Sequence, residues 1–446
     1  MKSEVEQFIA SARWFGAKGR AFEVTGIREI PLGDDLRIAL VTVGFDGGDT
    51  ATYQLPVSYY DKPQEQLDHA LIGTWVDREL GEVFGYDALH DHDATPRLLN
   101  AFAEEAVFED LRFHRIGEHE LDLEARSAAL TGEQSNTSVA FGEDSLLKVF
   151  RKVTPGHNPD IEIHARLTEA QNENIAQLYG WVELGKGDDT MQLAMLQQFL
   201  RTASDGWELA LTSARDLFAS PDVAAADAGG DFAAEAHRLG NAVADIHLTL
   251  ADSFGTTELM AEEIADGMTR RLEAALSDAP ALAPYADDLR SRFETLRAIK
   301  GSITGQRVHG DLHLGQTLRT VKNWKVVDFE GEPAKPLSER MLPDSPWRDV
   351  AGMLRSFDYA SAVIGDAPTE AGGHVASKAH EWAERNRAAF LDGYREVTGQ
   401  DARSGEPAAM VAAYEADKAV YEVVYETRNR PDWVRIPLDA IERLTA

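Results

Sequence analysis

A loop and a short strand, between Arg307 and Glu330, are the only clear interruption of a long helical pattern. From Asp205 onward, apolar residues recur every three or four positions, as in amphipathic helices. Upstream of that point, short apolar runs alternate with turn residues, which indicates strands. The chain therefore joins a β-rich first part to a helical second part, and a loop and a strand that ends at Asp328 are inserted in the second part.

The 446 residues exceed the size at which one hydrophobic core usually stops growing, so we expect more than one structural part. Phe22–Ile30, Leu36–Phe45 and Ala51–Tyr60 are typical of an antiparallel meander, and Pro63–Asn100 is expected to be helix and loop. A second group of strands follows. The expected divisions are 1–100 for an N-terminal cap, 101–202 for a β-rich intermediate part and 203–446 for a helical part.

The strongest compositional signal is a formal net charge of −32, with a pI near 4.7. So acidic a chain is expected to repel nucleic acid and anionic membranes. No apolar run approaches the roughly 18 residues that a membrane span requires. The N-terminus lacks the features of a signal peptide, and there is no cysteine, which excludes disulfides and thiolate metal sites. These features predict a cytoplasmic protein.

The inserted segment carries residues whose order is typical of phosphoryl transfer. Asp311 lies in the loop, Gln316 follows five residues later, and Asp328 lies twelve residues beyond Gln316. In kinase-like enzymes an aspartate accepts the proton of the attacking hydroxyl, while an amide and a second carboxylate bind Mg²⁺. Oxygen ligands suit this hard cation. The pattern therefore predicts Asp311 as the base, Gln316 and Asp328 as metal ligands, and ATP with Mg²⁺ as cofactors.

A kinase reading also requires groups that bind the nucleotide phosphates upstream. The turn Gly132–Ser138 is rich in small polar residues that can face phosphate, and Lys148 lies in the apolar run Ser145–Phe150. An unpaired ammonium there would be costly, so Glu162 on the following predicted helix is expected to pair with Lys148. The candidate nucleotide-binding residues here are Ser135, Asn136, Thr137, Ser138, Lys148 and Glu162.

The chain resembles the maltokinase branch of the aminoglycoside-phosphotransferase group of the protein-kinase-like fold. The motifs that carry this resemblance extend almost from end to end. They include Arg13–Arg20, Gly85–Leu89, Glu133–Ser138, Leu147–Phe150, Asn158–Glu162, Val308–Gln316, Asp328–Pro333, Asp344–Gly352, Asp417–Glu422, Tyr425–Glu426 and Arg430–Trp433.

The resemblance implies an α+β, bilobal fold with an N-terminal β-meander cap, a β-rich N-lobe and a mostly α-helical C-lobe. It implies transfer of the ATP γ-phosphate to the anomeric hydroxyl of maltose, which gives maltose 1-phosphate for α-glucan and glycogen synthesis. The hinge that meets adenine would lie near Gln198 and Leu200. The resemblance also allows an association with an enzyme of trehalose or maltose metabolism.

A sugar site is expected on the C-terminal segment. Tyr421 and Tyr425 lie four residues apart and share a helical face, and Trp433 follows soon after. Aromatic rings can pack against the apolar faces of sugars, and nearby polar groups can bind hydroxyls. The candidate sugar-binding residues are His313, Asp417, Tyr421, Glu422, Tyr425, Glu426, Arg430 and Trp433.

Other interpretations stay open at this point. Related chains phosphorylate glucosamine, which would give glucosamine 6-phosphate, and the acidic groups of the C-terminal segment could bind an amine. Another small sugar or an aminoglycoside could also be the acceptor. From another class of protein, His309, Asp311 and His313 could form the metal cluster of a hydrolase. A third interpretation is a catalytically inert kinase-like regulator.

Overall fold

Two compact units make up the computed structural model, which describes residues 1–130, 135–219, 223–227, 230–332, 335–365 and 372–445. The first unit comprises residues 1–168 and 176–201, and the second comprises 169–175 and 202–446. The first is rich in strands and the second in helices, which confirms the predicted α+β fold class. The domain boundaries predicted at residues 100 and 202 stay predictions. Within these described ranges, no helix has the length and apolar character that crossing a bilayer demands.

The first unit contains two antiparallel sheets. The sheet order is β1-β2-β3-β5-β4, with β11 paired to β3, in one sheet and β6-β7-β12-β13-β10-β9-β8 in the other. The elements are α1 (Lys2–Ser11), β1 (Phe22–Pro31), β2 (Leu36–Phe45), β3 (Thr50–Tyr60), β4 (Leu71–Asp77), β5 (Gly81–Asp87), α2 (Thr95–Ala103), β6 (Val107–Phe108), β7 (Leu111–Arg115), β8 (Ser127–Ala129), β9 (Asn136–Phe141), β10 (Ser145–Phe150), β11 (Lys152–Val153), α3 (Pro159–Glu169), β12 (Leu178–Leu184) and β13 (Met191–Gln198).

The predicted meander is present as β1, β2 and β3, but the prediction of helix and loop from Pro63 to Asn100 is wrong over its middle part. The hairpin of β4 and β5 lies there and extends the meander sheet. Three glycines obscure these strands in the sequence. One of them, Gly85, is required because a Cβ atom there would lie 2.2 Å from the Trp75 ring.

Backbone and side-chain contacts join the two sheets of the first unit. The Gln54 side-chain amide of β3 donates to the Phe150 carbonyl oxygen (2.9 Å) and also contacts the Leu193 carbonyl. The fully buried Arg151 donates to Asp87 (2.5 Å) and to the Thr137 hydroxyl (2.8 Å). The sheet of β1 to β5 and the sheet that carries Lys148 are therefore held together inside one unit.

The second unit is built mainly of helices, and two of its long helices, α5 and α10, pack closely. Gly240 permits this approach, since a Cβ atom there would lie 2.1 Å from the Phe390 carbonyl oxygen. The elements are β14 (Ser204–Asp205), α4 (Gly206–Phe218), α5 (Ala233–Phe254), β15 (Thr257–Met260), α6 (Ala261–Asp278), α7 (Ala286–Arg297), β16 (Ser302–Gly305), β17 (Thr317–Arg319), β18 (Trp324–Val326), α8 (Leu337–Arg340), α9 (Trp347–Gly365), α10 (Gly372–Thr398), α11 (Gly405–Asn429) and α12 (Arg435–Thr445).

Candidate active site

In the first unit, a buried ion pair connects β10 to the start of α3. The Lys148 ammonium lies 2.9 Å from Asp160 Oδ2, and both side chains are buried. His164, one turn along α3, lies 3.0 Å from Asp160 Oδ1. Burial raises the pKa of Asp160, but the Lys148 ammonium and His164 outweigh burial, so the pKa is lowered well below its usual range. Asp160, which sequence reasoning missed, is therefore an anionic partner of Lys148. Glu162 lies two residues further along the helix, and its pairing with Lys148 stays a prediction.

The residues that end the candidate phosphate turn lie on β9, beside Lys148. Ser138 pairs in register with Lys148, and Thr137 accepts a hydrogen bond from Arg151. Of the predicted turn Gly132–Ser138, positions 132–134 lie outside the described residues. Ser135 lies within them, immediately before β9, and Asn136 is the first residue of this strand. The β9–β10 pairing thus places a predicted phosphate-binding segment and the candidate lysine on adjacent strands.

The candidate hinge lies at the end of β13. Gln198 is the last residue of this strand, and its backbone N–H donates to the Gln177 carbonyl oxygen at 2.8 Å. Its side-chain Oε1 is buried and has no hydrogen-bond partner within the described ranges. Leu200 follows two residues later and is partly exposed. Their contact with adenine stays a prediction.

In the second unit, Asp349 of α9 fixes the backbone of the loop that carries Asp311. Its carboxylate accepts from the N–H groups of His309 (2.7 Å) and Gly310 (2.8 Å), and it lies 3.0 Å from His247 Nε2. Gly310 has φ +84°, a conformation that L side chains rarely adopt. The loop can therefore hold its aspartate in one orientation before a substrate binds.

The histidines of this loop do not form the alternative metal cluster of a hydrolase. His309 contacts the Val327 carbonyl through Nε2 at 3.0 Å and accepts the Asp311 N–H at Nδ1. His313 accepts the Gly315 N–H at Nδ1, 3.1 Å away, so its neutral form carries the proton on Nε2. Burial lowers the pKa of His313 despite the nearby Asp311 carboxylate. His313 is therefore placed as a neutral hydrogen-bonding group beside the base.

Asp311 makes an ion pair that the sequence did not reveal. The Lys418 ammonium of α11 donates to Asp311 Oδ1 at 2.8 Å, and both side chains are mostly buried. Burial raises the pKa of Asp311, but the Lys418 ammonium outweighs burial and, with His313 and His309, lowers the pKa to about 2. Asp311 is therefore ionised throughout the neutral range, as a proton acceptor must be.

The hairpin of β17 and β18 brings Gln316 and Asp328 together. Thr317 pairs with Val326 in register, and the Gln316 side-chain amide lies 2.9 Å from Asp328 Oδ2. Asp328 has φ +67°, a costly conformation for a residue other than glycine. A carboxylate oxygen of Glu330 lies within 4.8 Å of one from Asp328. This set of carboxylate and amide oxygens fits the ligand preference of Mg²⁺.

A cavity of about 750 Å³ opens beside Asp311. Its walls carry most of the predicted sugar-binding residues and several aromatic rings. The Tyr421 and Tyr425 rings stack with their centroids 6.3 Å apart, and the Arg430 guanidinium lies 4.4 Å from the Trp433 ring centroid. Tyr425 is 43% exposed, so it is not a core residue. The predicted residues that line this cavity are Asp311, His313, Tyr421, Glu422, Tyr425, Glu426, Arg430 and Trp433.

Asp417 lies apart from the other predicted sugar-binding residues. It lines a second cavity of about 350 Å³ and forms a double hydrogen bond with Arg271 (2.9 and 2.7 Å). This second cavity shares Asp311, Lys418 and Tyr421 with the larger one. The role of Asp417 in sugar binding therefore stays a prediction.

Sequence reasoning missed several residues of the larger cavity. Trp207 and Glu208 on α4, Tyr359 on α9 and Lys418 on α11 line it with the predicted residues. Their sequence neighbourhoods carry no recognised motif, with the exception of Lys418, which lies inside the matched segment Asp417–Glu422. Only the packing of three distant helices brings these side chains to one cavity.

Comparisons with known proteins agree with this architecture. Residues 8–91 match the family model of the maltokinase N-terminal cap domain. The chain is 27% identical over 340 residues to the glucosamine kinase of Streptacidiphilus jiangxiensis. The aligned residues make up 70% of this chain and 73% of that protein. The chain is 28% identical over 333 residues to the glucosamine kinase of Mycolicibacterium smegmatis, with coverage of 71% and 78%.

A solved glucosamine kinase in complex with glucosamine, ADP and inorganic phosphate has a TM-score of 0.70, at 21% identity, over all of both chains. The chain thus has the fold of this glucosamine kinase, and its N-terminal segment matches the maltokinase cap domain. These similarities support a phosphotransferase.

Proposed function

We propose that the protein is an ATP-dependent sugar kinase in which Asp311 is the general base. The observation that carries this proposal is the placement of an ionised, loop-held carboxylate in the wall of a cavity lined with aromatic and polar side chains. An acceptor hydroxyl hydrogen-bonded to the second oxygen of Asp311 would attack the γ-phosphorus of ATP. The new O–P bond forms as the bond to the ADP oxygen breaks, and the hydroxyl proton passes to Asp311.

We assign separate roles to the groups of each unit. In the first unit, Lys148 with its partner Asp160 can bind phosphate oxygens, and the β9 residues that follow the turn can contribute further hydrogen bonds. In the second unit, Gln316 and Asp328 would hold Mg²⁺. When bound, the ion neutralises charge on the nucleotide phosphates. Positioning and charge stabilisation account for most of the rate enhancement in this class of reaction.

For the acceptor we propose maltose, phosphorylated at the anomeric hydroxyl to give maltose 1-phosphate for α-glucan and glycogen synthesis. Lys418, which contacts the base, and Tyr425 are seven residues apart on α11, which corresponds to about 10 Å along the helix axis. The cavity therefore extends away from Asp311 over more than one sugar ring. The match of residues 8–91 to the maltokinase N-terminal cap domain supports maltose as the acceptor. The solved glucosamine kinase aligns with the whole chain, including these residues.

Glucosamine is the second candidate acceptor, with glucosamine 6-phosphate as its product. The similarity of about 27–28% to two glucosamine kinases favours it. Carboxylates also line the cavity, and a sugar amine could bind to one of them. We keep as further predictions a cytoplasmic location and an association with an enzyme of trehalose or maltose metabolism.

Purified protein incubated with Mg-ATP and, separately, maltose, glucosamine, glucose and an aminoglycoside would test the proposal. ADP formation gives kcat/KM for each acceptor, and phosphorus NMR gives the position of the new phosphate. We expect the highest kcat/KM with maltose and a phosphate at the anomeric oxygen. A higher value with glucosamine would select the second candidate, and no sugar-dependent ADP formation would refute the sugar kinase proposal.

A further inference from the structure

Lys418 occupies the place that a positively charged substrate group would take at the base. Its ammonium lies 2.8 Å from Asp311 Oδ1 and 5.2 Å from the centroid of the Tyr421 ring. It lines both cavities that meet at Asp311. Any acceptor that reaches the base must therefore approach Lys418 as well.

This ammonium keeps its positive charge at neutral pH. Burial lowers the pKa of Lys418, but the Asp311 carboxylate outweighs burial, and Glu422 and Glu332 add to it, so the pKa is raised. The Lys418 side chain is 28% exposed. The ring of Tyr421, which stacks with Tyr425, lies beside its ammonium. The charge of Asp311 is therefore already compensated by a group of the protein.

Other carboxylates of α11 are also paired with a cationic side chain. Glu422 pairs with Arg355 (2.6 Å), Glu426 with Arg430 (2.7 Å), and Asp417 with Arg271 (2.7 Å). Each of these carboxylates thus has an arginine as its counter-ion. The remaining carboxylates of the larger cavity belong to Asp205 and Glu208, at the start of α4.

We propose that Lys418 is a specificity-determining residue that selects uncharged sugars over amino sugars. This inference rests on the proposed sugar kinase function. Without Lys418, a sugar ammonium would pair with Asp311, because an uncompensated buried carboxylate attracts a cation strongly. With Lys418 in place, the amine meets an ammonium instead, and like charges held close together weaken binding. The acceptor hydroxyl keeps access to the second oxygen of Asp311.

Glucose and glucosamine provide a matched pair of acceptors, because they differ only in a hydroxyl and an amine. We would measure kcat/KM for both, and for maltose, with wild type, Lys418→Gln and Lys418→Arg. In Lys418→Gln the glucosamine-to-glucose ratio should rise at least tenfold. Lys418→Arg keeps the charge and should leave the ratio within about threefold of wild type. Lys300→Gln, which changes an exposed lysine, is the control and should behave as wild type.

The pH provides a second readout on the same pair of acceptors. Raising the pH removes the proton of the sugar amine, so the wild-type ratio should rise towards that of Lys418→Gln. The carboxylates of Asp311, Glu422 and Glu332 raise the pKa of Lys418, and the titratable side chains of His313 and Tyr421 also lie near its ammonium. In Lys418→Gln the ratio should instead fall or stay level as the amine loses its charge.

Several outcomes would overturn the inference while leaving the sugar kinase function intact. One is an unchanged ratio in folded Lys418→Gln, with turnover lowered by the same factor for every acceptor; Lys418 would then act on the transferred phosphoryl group alone. Another is a wild type that already prefers glucosamine to glucose. A wild type that phosphorylates none of the three sugars would refute the proposed function itself.

Discussion

Replacement of Asp311 by asparagine removes the proposed base while keeping the size of the side chain. Because the structure lowers the pKa of Asp311 from its ordinary 3.8 to about 2, its ion pair contributes to stability. The difference corresponds to roughly 2.5 kcal/mol of unfolding free energy at neutral pH, since one pKa unit equals about 1.36 kcal/mol. Asp311→Asn loses this contribution and leaves the Lys418 ammonium without its counter-ion.

The sign of the pH dependence follows from the lowered pKa. A carboxyl whose folded pKa is below its unfolded pKa binds fewer protons in the folded state between the two values. Its contribution is therefore complete above about pH 4 and is lost as the pH falls through about 2. The stability difference between wild type and Asp311→Asn should be about 2–3 kcal/mol at pH 7 and should shrink steadily below pH 4. Denaturant unfolding at pH 7, 4 and 3 would measure it.

The same variant tests the catalytic role. Loss of a general base usually lowers turnover by about 10²–10⁴-fold, and ATP affinity should change little. Asp278→Asn is a matched control, since Asp278 pairs with Arg428 and both side chains are about half exposed. That control should keep its turnover and its stability. If Asp311→Asn retained more than a tenth of wild-type turnover, or if its stability deficit were the same at pH 3 and pH 7, our assignment of the base and its ion pair would be wrong.

Three further substitutions test the other groups of the site. Asp328→Ala removes a metal ligand and should weaken Mg-ATP binding at least tenfold by calorimetry, with sugar binding unchanged; equal Mg-ATP affinity would contradict the metal assignment. Lys148→Met leaves Asp160 buried without this ammonium, so KM for ATP should rise at least tenfold while KM for sugar stays constant, and a change in the sugar KM alone would argue against the phosphate role. Tyr425→Ala removes one ring of the aromatic surface and should raise KM for maltose about three- to tenfold more than KM for glucose; an equal effect on both would place the second sugar ring elsewhere.

The spacing of residues along the sequence predicted the part of the site that the β17–β18 hairpin and the loop before it build. The twelve residues between Gln316 and Asp328 fit two short antiparallel strands, and the pairing of Thr317 with Val326 brings the two side chains together. The β-rich and helical halves were also predictable, because apolar residues recur at different intervals in strands and in helices. The strands β4 and β5 were not, because their glycines weaken the alternation on which such a prediction depends.

Contacts between distant elements could not be predicted in the same way. Lys418 is 107 residues from Asp311, and no spacing rule relates a residue of α11 to a loop before β17. The contact of Lys148 with Asp160 was not predicted, and the predicted pairing of Lys148 with Glu162 stays a prediction. Asp160 lies in the first turn of α3, and sequence patterns locate helix ends poorly.

The charge of the whole chain does not determine the field at the base. The formal net charge is −32, yet Asp311, Glu422 and Glu426 each have a cationic partner within 2.8 Å. Exposed charges are screened by salt over about 8 Å, whereas these partly or fully buried pairs are screened much less. The acceptor therefore meets a locally compensated site inside an acidic protein. Selection between a neutral sugar and an amino sugar should then depend on single counter-ions such as Lys418, and only weakly on the many acidic residues of the surface.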